Sequence, residues 1–307
     1  MFAAKSFRDK RVAVFGLARS GLAAIEALRL GGAKVLGWDD SELSRKKAQE
    51  QGIPLGDLDR LDFSNFDSLV LSPGVPFTHP EPHWTIKKAL GAGIEILGDT
   101  EIFQRELAGS GAKIVAITGT NGKSTTTALT GHLFKAAGRD MQIGGNIGKA
   151  VLLLDAPREG RIYVLELSSY QIDLMPGLKP DVGVLLNLSP DHLDRHGSME
   201  HYAEVKARMF ARQQRGDTAV VGVDDEWGAK IAGAVQAGPD IVRISVERQL
   251  DDGVFSTDGI LHERRRGLDL HVLDLRPMRA LRGKHNWQNA AAAYATGRAL
   301  GLTPQEI

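Results

Sequence analysis

Apolar positions recur along the chain in two rhythms. Short β-branched runs occupy 11–15, 34–38 and 68–71, each closed by a corner rich in Gly, Asp or Pro. Between the first two, Leu22, Ile25, Leu28 and Leu30 follow a helical repeat that Gly31-Gly32 ends. Strand, tight turn, helix and strand make a βαβ unit, with Asp39-Asp40 at the carboxyl end of its second strand. A small Rossmann-like parallel sheet with helices on its faces is predicted for residues 1–106.

The pattern weakens between Gln104 and Lys113 into Leu-Ala-Gly-Ser-Gly-Ala, which reads as a linker. A second α/β unit is predicted over 107–307, with strands at 113–118, 163–166, 182–187, 219–223 and 241–245. Residues 120–124 read as a loop, and 125–137 as a helix ended by Gly138. Alternation between 253 and 278 predicts a small antiparallel section, and a helix follows over 287–300. Ser198 to Gln213 reads as another helix, with Tyr202, Val205, Met209 and Phe210 as its inward stripe.

Length supports this division, because 307 residues exceed what one core usually organises. Charge narrows the partners: Lys plus Arg equals Asp plus Glu at 38 each, so no overall field favours nucleic acid or an anionic membrane. Any phosphate site must be local. The absence of cysteine excludes disulfides, thiolate zinc sites and a thiol nucleophile, and fits a reducing compartment. The first residues lack a leader pattern, and no apolar run nears the ~20 residues of a membrane span. A cytoplasmic location is expected.

The most informative stretch is Thr118-Gly119-Thr120-Asn121-Gly122-Lys123-Ser124-Thr125, set between a strand and a helix. Glycines let backbone N–H groups turn toward a phosphate, the helix contributes its positive amino end, Lys123 adds charge, and the Ser124 hydroxyl can reach Mg²⁺. The strict phosphate-loop spacing is missed, since Ile117 stands where its first glycine belongs. Glu166 ends a strand and can hold a divalent ion, although a strand-end Glu also commonly caps a turn. His192 follows another strand, beside Asp191 and Asp194, and imidazole with carboxylate suits a metal bridging phosphates. Lys206 lies on or beside an apolar helix face, where an unpaired ammonium is disfavoured unless it snorkels outward. Asn286 and Asn289, three apart on one helix face, can recognise a purine edge or ribose, and Asn286 can also serve as an N-cap. Gly144-Gly145-Asn146-Ile147-Gly148 by itself is only a turn. Gly16-x-Ala18-x-x-Gly21 departs from the dinucleotide fingerprint at its second glycine, which is weak support for a nicotinamide oxidoreductase.

Thr-Gly-Thr-Asn-Gly-Lys-Ser resembles the phosphate loop of the Mur ligases and of their relatives, the folylpolyglutamate synthases. Gly283-Lys284-His285-Asn286-x-x-Asn289 resembles the His-Asn-x-x-Asn element of the same family. The turn Gly16-Leu17-x-x-Ser20-Gly21, with Ser72-Pro73-Gly74-Val75-Pro76 and Gly98-Asp99-Thr100-Glu101, is similar to the branch of the family that adds D-glutamate. The resemblance spans nearly the whole chain.

It implies an ATP-dependent ligase that activates the carboxylate of UDP-N-acetylmuramoyl-L-alanine as an acyl phosphate and joins it to D-glutamate, in peptidoglycan precursor synthesis. It implies ATP contacts at Gly119, Thr120, Asn121, Gly122, Lys123, Ser124, Thr125, Asn286 and Asn289. The metal, Mg²⁺ or Mn²⁺ in its place, is implied at Ser124, Glu166, His192 and a carbamylated Lys206. Lys123, Glu166, His192 and Lys206 are the implied catalytic set. Leu17, Arg19, Ser20, Asp39, Ser72, Gly74 and Asn146 are the implied contacts to the UDP-substrate. The family carries a third domain after the point where this chain ends, so substrate binding with little ligation is expected of these 307 residues, as a monomer. A sister ligase for another amino acid and a non-catalytic nucleotide-binding fragment are the competing expectations.

Overall fold

A computed structural model describes residues 2–235, 238–265 and 267–307. The chain opens with β1 (Arg11–Phe15), α1 (Arg19–Gly31), β2 (Lys34–Trp38), α2 (Glu42–Glu50), β3 (Ser68–Leu71), α3 (Trp84–Gly91), β4 (Glu95–Leu97) and α4 (Asp99–Leu107). The strands form a parallel sheet in the order β2-β1-β3-β4. The chain leaves β1 to one side for β2 and returns to the other for β3. The crevice between the carboxyl ends of β1 and β3 is therefore a topological switch point, where open α/β sheets bind ligands.

The second sheet is built from β5 (Lys113–Thr118), α5 (Lys123–Ala136), β6 (Met141–Gly145), β7 (Ile162–Glu166), α6 (Ser169–Asp173), β8 (Val182–Leu185), α7 (Leu193–His196), α8 (Met199–Ala207), β9 (Thr218–Gly222), α9 (Glu226–Ala234), β10 (Asp240–Ser245), β11 (Gly253–Thr257), β12 (Ile260–Arg265), β13 (Leu268–Asp274) and α10 (Lys284–Ala299). Its order is β13-β12-β11-β10-β9-β8-β5-β7-β6. Neighbours from β6 to β11 run parallel, and β11, β12 and β13 pair antiparallel. The antiparallel section thus extends the main sheet instead of standing apart. β5 lies between β7 and β8, so a second switch point falls at the carboxyl ends of these three strands.

Several sequence expectations are corrected. Leu30 points to solvent at 53% exposure, while Ala24, Ile25, Ala27 and Leu28 form the buried face of α1, because the true stripe shifts toward small residues. The stretch read as a linker begins inside α4, whose Ile102 and Phe103 are buried; only residues 108–112 connect the two sheets. β4 and β6 were not expected: both are short edge strands, and β6 ends in the glycines that read as a turn. β8 stops at Leu185, α5 starts already at Lys123, and α8 gives way after Ala207 to a 3-10 turn at Arg208–Phe210. The stripe on α8 survives this shortening, with Tyr202, Val205, Met209 and Phe210 all buried.

One apolar cluster runs from beneath the first sheet to beneath the second, joining Val12, Val14 and Leu28 to Ala116, Leu165 and Leu185. Phe103 of α4 stands edge-on to Tyr163 of β7, with ring centres 4.9 Å apart. Because that surface is apolar on both sides, exposing it would cost roughly 25 cal/mol per Å². The two switch points are held on one side of the molecule by this shared core.

Candidate functional site

The second switch point gathers most of the chemically equipped residues. β5 delivers the chain into the loop 119–122, where Gly119 and Gly122 adopt φ of 151° and 86°. A side chain at Gly122 would come within 2.3 Å of Asn289 Oδ1, so glycine is required there by both conformation and space. α5 then begins with no side-chain cap, leaving its first amides for an anion. Lys123 folds back over the loop, its Nζ donating to the carbonyls of Gly119 at 3.0 Å and Thr120 at 2.8 Å. Burial lowers its pKa, against the opposing pull of Glu166 and Asp191.

Glu166, 1% exposed at the end of β7, is held from both sides. Ser124 Oγ donates to one carboxylate oxygen at 2.8 Å and Asn146 Nδ2 to the other at 2.8 Å. The Asn146 amide donates to the Glu166 carbonyl at 2.8 Å. A Cβ at Gly145 would meet that carbonyl oxygen at 2.3 Å, which explains the glycine beside Asn146. The turn-cap reading of Glu166 therefore fails: its carboxylate faces the phosphate loop. The hydroxyl of Ser124 and the carboxylate beside it are hard oxygen donors on one wall, a set that suits Mg²⁺.

Lys206 does not snorkel. It is 1% exposed, and its Nζ donates to Thr118 Oγ1 at 3.0 Å and to the Gly119 carbonyl at 3.1 Å, directly beneath the phosphate loop. Its pKa is pushed down to about 7, first by burial and then by the charge of Lys123, with Asp191 opposing. Tyr202 of the same helix reaches the loop too, its hydroxyl 3.3 Å from Thr120 Oγ1.

His192 sits at the rim, with its side chain 47% exposed and Nε2 3.4 Å from Asp191 Oδ2. Its backbone is left-handed, φ 53°, and its ring centre lies 5.1 Å from that of Tyr170. Among the described residues no hydrogen bond or ion pair joins it to Glu166; Glu166 ends β7, while His192 follows β8 by seven residues and precedes α7. Asp191, charge-coupled to both Lys123 and Lys206, links the rim to the loop.

On the far side of the loop, Asn289 is buried under Gly122, accepting from Thr126 Oγ1 at 3.1 Å and donating to Asn286 Oδ1 at 3.3 Å. Of this pair only Asn286 is half-buried instead of buried; α10 starts at Lys284 after Gly283, so Asn286 lies inside the helix and is not its N-cap. Thr125 is exposed on the first turn of α5. Asn187 and Gln288 were not singled out from sequence. Asn187 Oδ1 accepts from the Asn121 amide at 2.9 Å, and its Nδ2 donates to the Asn121 carbonyl and, at 2.8 Å, to Gln288 Oε1. The signal was faint: an asparagine just past an apolar strand.

The first switch point is built from backbone. Gly21 can carry no side chain, because a Cβ would fall 1.8 Å from the Gly16 carbonyl oxygen. Ser72 Oγ donates to that same oxygen at 2.9 Å, tying β3 to the turn after β1. Asp39 accepts from the amides of Leu17 at 2.7 Å and Ser41 at 2.8 Å. α1 starts at Arg19 with no side-chain cap, so Ser20 and its neighbours present amides to the crevice. Two arginines join the switch points: Arg19 donates to the Gly148 carbonyl at 2.9 Å, and Arg195 donates to the carbonyls of Gly74 at 3.0 Å and Val75 at 2.9 Å while lying 4.5 Å over the Tyr170 ring.

A phosphate loop at the switch point of a parallel sheet, with a carboxylate and a buried lysine against it, is the arrangement of an α/β fold suited to holding a nucleotide's phosphates. Residues 117–297 match the Mur ligase middle domain, and the chain belongs to the Mur ligase family. It is 52% identical over 312 residues to UDP-N-acetylmuramoylalanine–D-glutamate ligase of Caulobacter vibrioides, and equally to the Phenylobacterium zucineum protein of that name. The whole chain is covered, and it spans 66% of the length of each relative. Among solved structures, the UDP-N-acetylmuramate:L-alanyl-γ-D-glutamyl-meso-diaminopimelate ligase from Neisseria meningitides aligns over 97% of this chain and 95% of its own, with TM-score 0.60 and 16% identity. The UDP-N-acetylmuramate–alanine ligase of Thermotoga maritima aligns over 97% of this chain and 66% of its own, with TM-score 0.53 and 19% identity. At such identities these two speak for the fold alone. No helix among the described residues is long and apolar enough to cross a membrane.

Proposed function

We propose that this chain carries the UDP-substrate and ATP sites of a ligase joining D-glutamate to UDP-N-acetylmuramoyl-L-alanine. The observation that carries the reading is the Glu166 carboxylate held between Ser124 and Asn146 at the mouth of a phosphate loop with Lys206 buried beneath it. The 52% identity to proteins of that name supports the choice of substrates. Residues 1–106 serve the UDP-substrate and residues 107–307 serve ATP.

In this reading a carboxylate oxygen of the substrate attacks the γ-phosphorus of ATP, ADP leaves, and an acyl phosphate forms. The amine of D-glutamate then attacks the acyl carbon and inorganic phosphate departs. Little covalent chemistry falls to the protein, so its work is alignment and electrostatics. The amides of 119–124 and Lys123 cradle the triphosphate, Asn187 and Asn289 fix the loop from either side, and half-buried Asn286 meets the nucleoside. Asn146 orients Glu166 and faces the acyl side. Leu17, Arg19, Ser20, Asp39, Ser72 and Gly74 line the crevice for the uridine diphosphate.

Ser124 and Glu166 would hold Mg²⁺, with Mn²⁺ able to replace it, and the ion would neutralise charge on the transferring phosphoryl group. His192 and Lys206 would serve a second ion. A lysine ammonium cannot ligate, but with the pKa at about 7 much of this amine is neutral near pH 7. A neutral amine can add CO₂ through its lone pair and lose a proton, giving a carbamate that binds metal as an anion. The reaction is assigned to the cytoplasm and the chain to a monomer.

Calorimetry with UDP-N-acetylmuramoyl-L-alanine, a non-hydrolysable Mg-ATP analogue and NADH tests the reading. The first two are expected to bind at separate sites and NADH not at all. Saturable NADH binding, or silence toward the UDP-substrate, would overturn it. An amino-acid panel in the intact enzyme checks D-glutamate against its alternatives.

A further inference from the structure

A second group of metal-competent side chains lies behind α7. Asp173 at the end of α6, His196 at the end of α7 and His201 in α8 each offer a ligand atom, and these atoms lie within 4.8 Å of one another. We propose that they form a site for a divalent transition-metal ion of the zinc class, separate from the phosphate-loop centre.

The two imidazoles are oriented by their other contacts. His196 is 1% exposed, and its Nε2 lies 2.8 Å from Ser169 Oγ. Its Nδ1 is buried without a partner, as is Nε2 of His201. His201 turns its Nδ1 toward Glu204, 4.0 Å away. Asp173 has a side chain only 6% exposed and uses one oxygen to accept from Arg208 at 2.7 Å. Two sealed imidazole nitrogens without partners are costly, because a buried polar atom forfeits its hydration. An ion bound between them satisfies both.

The donor set also selects the ion. Two neutral imidazoles and one carboxylate suit zinc, cobalt or nickel, whereas Mg²⁺ prefers oxygen donors. Ser169 acts as the outer partner that such ligating histidines normally have: with the proton on Nε2 given to Ser169, the Nδ1 lone pair is free. Tetrahedral zinc places neighbouring donors about 3.4 Å apart, so the site closes by small side-chain rotations. The ion would cross-pin α6, α7 and α8, the helices that set Tyr170, His192 and Lys206 around the phosphate loop.

The test is titration of the chelator-stripped chain with Co²⁺, followed by its visible absorption. With excess Mg²⁺ present to fill the phosphate-loop centre, one equivalent of Co²⁺ is expected to bind and to be displaced by Zn²⁺. His201→Ala and Asp173→Asn should each weaken binding about tenfold or more, and His192→Ala should leave it unchanged. His201 is half-buried, so its variant is expected to fold; Zn²⁺ should raise the Tm of the wild type and not that of His201→Ala. No binding below about 1 mM, affinity unaffected by both substitutions, or loss on His192→Ala would each overturn the proposal.

Discussion

The two switch points are the same device built from different materials. Each follows a central parallel strand with a glycine turn and a helix that starts without a side-chain cap. At the first, every firm contact in the turn is backbone or a short polar group: Ser72 on the Gly16 carbonyl, Asp39 on the Leu17 amide. At the second, charged side chains crowd the loop, with Lys123 above it, Lys206 below it and Glu166 facing it. A cradle that only holds a diphosphate needs amides in a fixed shape. One that moves a phosphoryl group needs charges placed in advance, and those must be partly desolvated to act strongly.

This contrast breaks most visibly at Gly21. Gly21→Ala puts a methyl against backbone, which cannot move aside, and should cost about 3 kcal/mol or more in denaturant melts. Near-native stability would mean that the first cradle is not set by this close approach. Glu166→Gln, by contrast, should leave the fold intact. It should weaken Mg-ATP analogue binding by about 2 kcal/mol, roughly 30-fold, without affecting the UDP-substrate in calorimetry; equal losses for both ligands would erase the division of labour.

Lys206 sharpens the comparison through pH. Its folded pKa of about 7 lies below the ordinary 10.5, so between these values the unfolded chain holds a proton that the folded chain has released. Stability should therefore rise with pH from about 7 upward, by at most about 1.4 kcal/mol per unit. Lys206→Met should flatten that rise in CO₂-free buffer; parallel stability curves for the two proteins would show that Lys206 titrates normally. The smallest effect is expected from Thr126→Val, which removes the hydrogen bond that holds Asn289 under the loop. A loss of about 1 kcal/mol in thermal unfolding is expected, together with weaker nucleotide binding. No change in either would make Asn289 independent of Thr126.

The sequence carried the local half of this picture. A β-branched run, a glycine turn and a helical stripe follow one another in order, so β1-α1-β2, β5 with its loop, and α10 could be read directly. The nonlocal half was hidden. Lys206 was suspect on its own helix, but its partners Thr118 and Gly119 lie 88 and 87 residues away. Asn187 reads as the last residue of a strand until the fold ends that strand at Leu185 and sets Asn187 against Asn121, 66 positions earlier. β6 was missed because its terminal glycines, chosen for their closeness to β7, look like a turn. His192 was expected as a metal ligand from the residues beside it in the chain; its left-handed backbone and half-exposed ring at the rim could not be read from those neighbours.

The Arg195 clasp bears on any attempt to graft parts between members of the family. One guanidinium, three residues after His192, grips the carbonyls of Gly74 and Val75 across the gap between the sheets. A chimera that imports its opening segment from a relative thus inherits a foreign grip on the histidine's helix. Matching the donor's 74–75 turn to the recipient's arginine, as well as the apolar seam at Phe103 and Tyr163, would decide whether such a hybrid keeps its two halves in working alignment.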